Sequence, residues 1–162
     1  MTNEAMFVSL GLRNWKLSTD RADKLLGNLS EEQLQREVAP GKNRLIYIWG
    51  HLTAVNDALL PLLGFGPRLH PELDAMFIKN PDRSVDGILS GTEVKGCWNE
   101  INELLWKHFS ALTPAQWTDR HTSVSEEDFA REPHRNRFNV LLGRTAHMAE
   151  HLGQVVLAEP QH

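Results

Sequence analysis

The chain has 162 residues, enough for one domain with a buried core and short of two ordinary ones. Apolar residues make up 41% and charged residues 23%, which excludes a disordered or fibrous chain; a formal charge of −4, with no run of Lys or Arg, argues against a nucleic-acid partner. The start Met1-Thr2-Asn3-Glu4 has no secretory pattern, polar groups interrupt the most apolar stretch (Leu45 to Phe65), and the single Cys97 makes no internal disulfide, so a cytoplasmic protein outside the membrane is expected.

Helix signals dominate. The first helix is predicted from about Glu4 to Leu29, where Met6, Leu10, Trp15, Leu17, Leu25 and Leu26 recur at near-helical spacing. Ser30 and Gln33 match a capping box that opens a short helix, and Ala39-Pro40-Gly41-Lys42 breaks it. A second long helix is expected from about Asn43 to Leu63, with Leu45, Ile48, Leu52, Val55, Leu59 and Leu62 as its apolar stripe and Gly64, Gly66 and Pro67 at its end. A connection rich in Pro, Asp and Gly follows, from Pro67 to Gly91. A link of about 25 residues is unusual in a compact domain and is often functional or partly helical. The third helix is expected from Thr92, as cap, to Leu112, with Val94, Cys97, Ile101, Leu104, Leu105 and Leu112 inward. Thr113-Pro114-Ala115-Gln116 starts another short helix, with Pro at its first position. An irregular stretch runs through Pro133, with Thr122 to Val124 as a weak strand candidate, and the last helix is expected from about Asn136 to Ala158.

The halves echo each other. Leu29-Ser30-Glu31-Glu32-Gln33-Leu34 is matched by Leu112-Thr113-Pro114-Ala115-Gln116-Trp117, and Arg44-Leu45 through Gly50-His51 by Arg137-Phe138 through Gly143-Arg144. This hints at helix, short helix, loop, helix, repeated twice. The expected fold is all-α: a four-helix bundle in a single domain spanning 1–162. The long crossover lets helices two and three lie parallel, unlike an up-down-up-down bundle with short loops.

Eight histidines are more than a chain this size usually carries. His147 and His151 are four apart on a predicted helix, so both rings project from one face, one turn apart. Two such imidazoles can share one ion at about 2.0–2.1 Å. The pattern is not a zincin motif, which places Glu directly after the first His; here Met148 follows, and Glu150 points about 100° away from His151. His51 lies beside the apolar stripe of the second long helix, and the face carrying His147 and His151 continues through Val140, Gly143 and Val155. Three core-facing imidazoles without partners are costly. One shared ion satisfies them together; three separately hydrogen-bonded histidines do so too.

Ile48-Trp49-Gly50-His51-Leu52, followed downstream by His147-Met148-Ala149-Glu150-His151-Leu152-Gly153-Gln154, resembles the DinB-like superfamily, whose members carry one His on the second helix and an H-x-x-x-H-x-G-Q run on the last. The resemblance spans nearly the whole chain. It implies a four-helix bundle with a three-His site, His51, His147 and His151, binding zinc, nickel, iron or manganese, and a homodimer. Some relatives are transferases or isomerases that use a low-molecular-weight thiol, and others are described as metal-dependent hydrolases. A three-His metal with open positions lowers the pKa of bound water to about 7, or deprotonates a bound thiol, for attack on a small-molecule substrate. A structural or vestigial site in a non-catalytic binding protein is the remaining class; three obvious ligands rather than four favour an open site.

Either chemistry benefits from acceptors that hold each histidine's other N–H. Asn56 and Asp57, one to two turns after His51, are candidates for that role or solvent-facing helix polars; Gln154 is a candidate or a packing or capping residue. His70, before Pro71 in the long connection, is expected as an exposed loop residue, with the mouth of a pocket as the alternative, and His108 near a helix C-terminus, where a cation suits the dipole. His121 and His134 fall in irregular segments and His162 is terminal. Cys97 reads as a core thiol, and Trp15, Trp49, Trp98, Trp106 and Trp117 as helix-packing residues, Trp49 and Trp98 being further candidates for a pocket wall or a dimer seam.

Overall fold

The computed structural model of the chain describes residues 2–158, so His162 lies outside the described residues. Side-chain caps decide where most helices begin. Thr2 opens α1 (Asn3–Leu26), and Ser30 opens α2 (Glu31–Leu34) with a complete capping box to Gln33. The second long segment divides into α3 (Leu45–Asp57) and α4 (Leu59–Leu62), because Pro61 has no N–H to give the Asp57 carbonyl. Gly64 and Gly66, at φ +76° and +123°, then end it.

The crossover carries α5 (Leu73–Phe77), and α6 (Gly91–Ala111) follows. The cap of α6 is Ser90 rather than Thr92, because Glu93 stands three residues after Ser90 and closes a capping box with it. Thr113 caps α7 (Pro114–Trp117) in the same way. The stretch before Pro133, expected to be irregular, contains α8 (Glu126–Arg131), whose cap is Ser125 and whose first turn is acidic. Asn136 caps α9 (Arg137–Leu157).

Among the described residues there is no strand, only two isolated bridges, Glu37 with Arg44 and Arg120 with Asn136. They occupy equivalent places in the two halves. Each pins the start of a site helix, through Leu45 N–H to Arg36 C=O (2.9 Å) and Arg137 N–H to Asp119 C=O (3.0 Å). The repeated plan of helix, short helix, loop, helix is thus present twice. No described helix is long and apolar enough to cross a membrane.

Helix α9 packs against α1 and α3, and α6 against α3. Helix α6 also meets α1, through Trp98 Nε1–H donating to Asp23 (2.7 Å) and an edge-on pair of Trp15 with Phe109. Helices α3 and α6 run parallel, as the crossover predicts. Both start beside α2, and Asn56 near the end of α3 bonds Asn102 in the second half of α6 (2.9 Å).

Two expectations about faces need correction. On α1 the buried residues are Gly11, Trp15, Thr19, Ala22 and Leu26, while Met6, Leu10 and Leu17 are exposed. The reason is Gly11: a Cβ there would stand 2.6 Å from the Phe138 ring, so this face alone lets α9 approach closely. On α3 the apolar stripe is not one-sided; nearly every residue is buried, because α5 covers the face that α6 and α9 leave open. Four tryptophans are core residues, including Trp49 and Trp98, and Trp106 is exposed.

His70 is not an exposed loop residue. It is half-buried between Glu72 (3.2 Å) and Glu100 (2.8 Å), tying the crossover to α6. Burial alone would push its pKa down, but hydrogen bonds to Glu100 and then Glu72 outweigh this and hold it above the ordinary 6.5. The stability His70 contributes is therefore complete below about pH 6.5 and is lost as pH rises through the raised folded value. Urea midpoints of wild type and His70→Gln should differ most at pH 6 and converge by pH 9. The gap stays within about 1 kcal/mol because both glutamates are more than half exposed. A gap that widens with pH would contradict the clamp.

Candidate metal centre

His51 projects from the middle of α3 and His147 and His151 from one face of α9, which runs antiparallel to α3. The structure brings all three together. His147 Nε2 lies 3.4 Å from His51 Nε2 and 3.2 Å from His151 Nε2, and the three rings stand edge-on to one another. Each of the three is half-buried. An ion about 2.0–2.1 Å from each nitrogen sets neighbouring ligand nitrogens about 3.3–3.4 Å apart in a tetrahedral arrangement and about 2.8–3.0 Å apart in an octahedral one. The two spacings to His147 are close to the tetrahedral value, and all three ligand atoms lie within 4.8 Å of one another.

The outer nitrogens decide which way the lone pairs point. His51 Nδ1–H donates to the Phe77 carbonyl (2.9 Å), and His151 Nδ1–H donates to Gln154 Oε1 (3.0 Å). In neutral rings both Nε2 atoms then carry lone pairs aimed at the centre. His147 Nε2 can give a proton to only one of them, and its buried Nδ1 has no partner. Burial, followed by the charges of His151, His51 and Arg144, pushes the His147 pKa down to about 4, so a bridging imidazolium does not relieve the clash at neutral pH. Burial also lowers His51. Three convergent nitrogen donors, two of them with an acceptor on the outer ring nitrogen, are chemically suited to one borderline-soft cation.

The Phe77 carbonyl was invisible to sequence reasoning, since a backbone acceptor leaves no residue signature. Its position is set by Gly50. The Phe77 ring lies on Gly50 so closely that a Cβ there would stand 2.3 Å from it. Gly50→Ala should displace the ring and the carbonyl with it. The expected cost is about 1–3 kcal/mol of overpacking and a metal affinity about 10–100-fold weaker. Urea unfolding and metal titration that both match wild type would refute this coupling.

Asn56 and Asp57 do not support the histidines, nor do they face solvent. Both are fully buried. Asn56 bonds Asn102, and Asp57 accepts from Arg68 Nε (2.9 Å), Leu69 N–H (2.8 Å) and His70 N–H (3.0 Å). Gln154 does contact a ligand-face histidine. Gly143 is exposed; Arg144 continues the histidine face instead. Elsewhere, His108 stacks on Phe65 at 4.6 Å and His134 is exposed. Burial, then Arg135, lowers His121. Burial, then Glu72 and Glu100, raises the half-buried Cys97 thiol, which does not favour a nucleophile.

The profile of the DinB superfamily matches residues 14–155. The chain belongs to the DinB superfamily. The match covers every helix that frames the histidine cluster, in line with the Gly50-His51 and His147 to Gln154 motifs. A search of curated proteins finds no match.

Proposed function

We propose that His51, His147 and His151 hold one divalent transition metal ion, and that this DinB-superfamily protein is a metal-dependent enzyme of the thiol-transferase type. It would act as a single domain in the cytoplasm, on a small-molecule electrophile with a low-molecular-weight thiol as cosubstrate. The observation that carries the reading is the convergence of three Nε2 atoms, two of which, on His51 and His151, have their lone pairs turned inward by the Phe77 carbonyl and Gln154 at the opposite ring nitrogen. The ion, when bound, supplies open positions at which a thiol or water gives up its proton near neutral pH. Three protein ligands rather than four favour such an open site over a closed structural one.

The chain's own part is to orient the rings and to bound the space beside them. A cavity of about 180 Å³ abuts His51 and His151, walled by Asn43, Tyr47, Ile48 and Ile78. The Tyr47 hydroxyl donates to the Asn80 carbonyl (2.7 Å), which holds that wall in place. The exposed apolar row Met6, Phe7, Leu10 and Leu17 on α1 supports a homodimer.

The test is turnover by protein loaded in turn with zinc, nickel, manganese and ferrous iron. Cysteine or glutathione serves as thiol, with an aryl halide as electrophile and, separately, an activated ester. Turnover of the halide that needs both metal and thiol supports the reading. Ester turnover without thiol replaces it with a hydrolase, and no thiol-dependent turnover with any metal sinks it.

A further inference from the structure

Arg144 is a half-buried cation with no carboxylate partner among the described residues. It lies three residues before His147 on α9 and so projects from the ligand face, one turn away. Its Nε is sealed from solvent with no hydrogen-bond partner, and no carboxylate among the described residues lies within salt-bridge distance. The other arginines drawn inward each hold one: Arg44 holds Asp82, Arg68 holds Asp57, and Arg137 holds Asp119. Burial pushes the Arg144 pKa down with no acidic neighbour to raise it, and its charge lowers both His51 and His147. It is the one arginine or lysine whose charge reaches those two rings.

Sealing the guanidinium Nε from solvent without an acceptor is costly. The cost is recovered when an anion occupies the place. We infer that Arg144 receives the carboxylate of an organic substrate whose reacting atom sits at the histidine cluster. A guanidinium presents a planar fork that meets a carboxylate in two parallel hydrogen bonds. A single fixed cation matches a single negative charge, whereas a phosphate near neutral pH carries up to two. The position of the reacting atom rests on the metal reading above; the anion site itself does not.

The test uses protein labelled with ¹⁵N-arginine, first free of metal. The Arg144 Nε–H resonance is assigned by its loss in Arg144→Met, or in Arg144→Lys should the first variant fail to fold. Acetate is titrated in, then inorganic phosphate in a separate sample, and both are repeated after zinc loading. The expected result is a saturable shift of the Arg144 resonance with acetate, together with a rise in wild-type melting temperature that the variant lacks. An unmoved resonance in the metal-free and zinc-loaded forms overturns the inference, and a shift with phosphate alone overturns the carboxylate assignment. Failure of zinc to bind, with the acetate shift intact, removes the metal reading and leaves the anion site standing. Zinc uptake with no acetate response does the reverse.

Discussion

Replacing His147 with alanine is expected to empty the centre. Elemental analysis of wild type should find about one equivalent of a transition metal, and of His147→Ala less than a tenth of that at equal protein concentration. His147 is the hub of the cluster, its Nε2 within 3.4 Å of the other two, and it stands between α3 and the next turn of its own helix. Loss of an outer partner of a metal-bound histidine typically weakens binding about 10–100-fold, and loss of one direct ligand in three should exceed that range. Gln154→Leu provides the internal scale: it removes only the acceptor on His151 Nδ1 and should fall within that range. His51→Ala should match His147→Ala, because it removes the ligand contributed by the other half of the chain. Metal retained at one equivalent in His147→Ala, or absent from wild type after reloading with zinc, nickel and manganese, would sink the three-histidine centre. Far-ultraviolet circular dichroism of each variant checks that the helices survive.

Asp57→Ala should be the most damaging single change to stability. The carboxylate is completely buried and accepts three hydrogen bonds, one from a guanidinium that is itself only 15% exposed. Removing it leaves Arg68 with a buried charge and the Leu69 and His70 amides without acceptors. Breaking such a pair costs about 3–5 kcal/mol, against a total stability on the order of 5–15 kcal/mol. For a chain of this size the melting temperature should fall on the order of 10 °C. Part of the charge is still met in the variant, since Arg68 also reaches Asp74 (2.5 Å) and the Ala54 carbonyl (3.1 Å). The double variant Asp57→Ala with Arg68→Met should recover some of the loss by removing the stranded cation. A single variant within 1 kcal/mol of wild type in urea would show that the pair is dispensable. Because residues 68–70 begin the crossover that ends its short helix at Phe77, Asp57→Ala should also weaken metal binding without touching a ligand.

Much of this architecture was legible from residue chemistry. The boxes Ser30 to Gln33 and Thr113 to Gln116 carry their own geometry, so both short helices follow from four residues each. The box at Ser90 was equally readable, but Thr92 offered a competing hydroxyl, and only Glu93 discriminates between them. Apolar spacing located α1 and misjudged its face, because two apolar rows compete there and the winner is set by a missing side chain, Gly11, rather than by a hydrophobic one. The polar residues after His51 were read by proximity in sequence. Their partners, Asn102 and residues 68–70, come from other segments, which spacing along one helix does not reveal. The motif histidines stood out because of residue type and interval. The carbonyl that steers His51 and the unanswered charge of Arg144 are properties of the folded surroundings alone.

His51 and His147 are separated by 96 positions along the chain, whereas His147 and His151 are separated by four. A pair one helical turn apart exists as soon as that turn forms, within about a microsecond. The third donor arrives only after loop closure across most of the polypeptide, the step that slows folding in proteins rich in non-local contacts. Tight uptake of the proposed ion is therefore a late event in folding, and a metal-sensitive dye would time the docking of α3 on α9 rather than the formation of either helix.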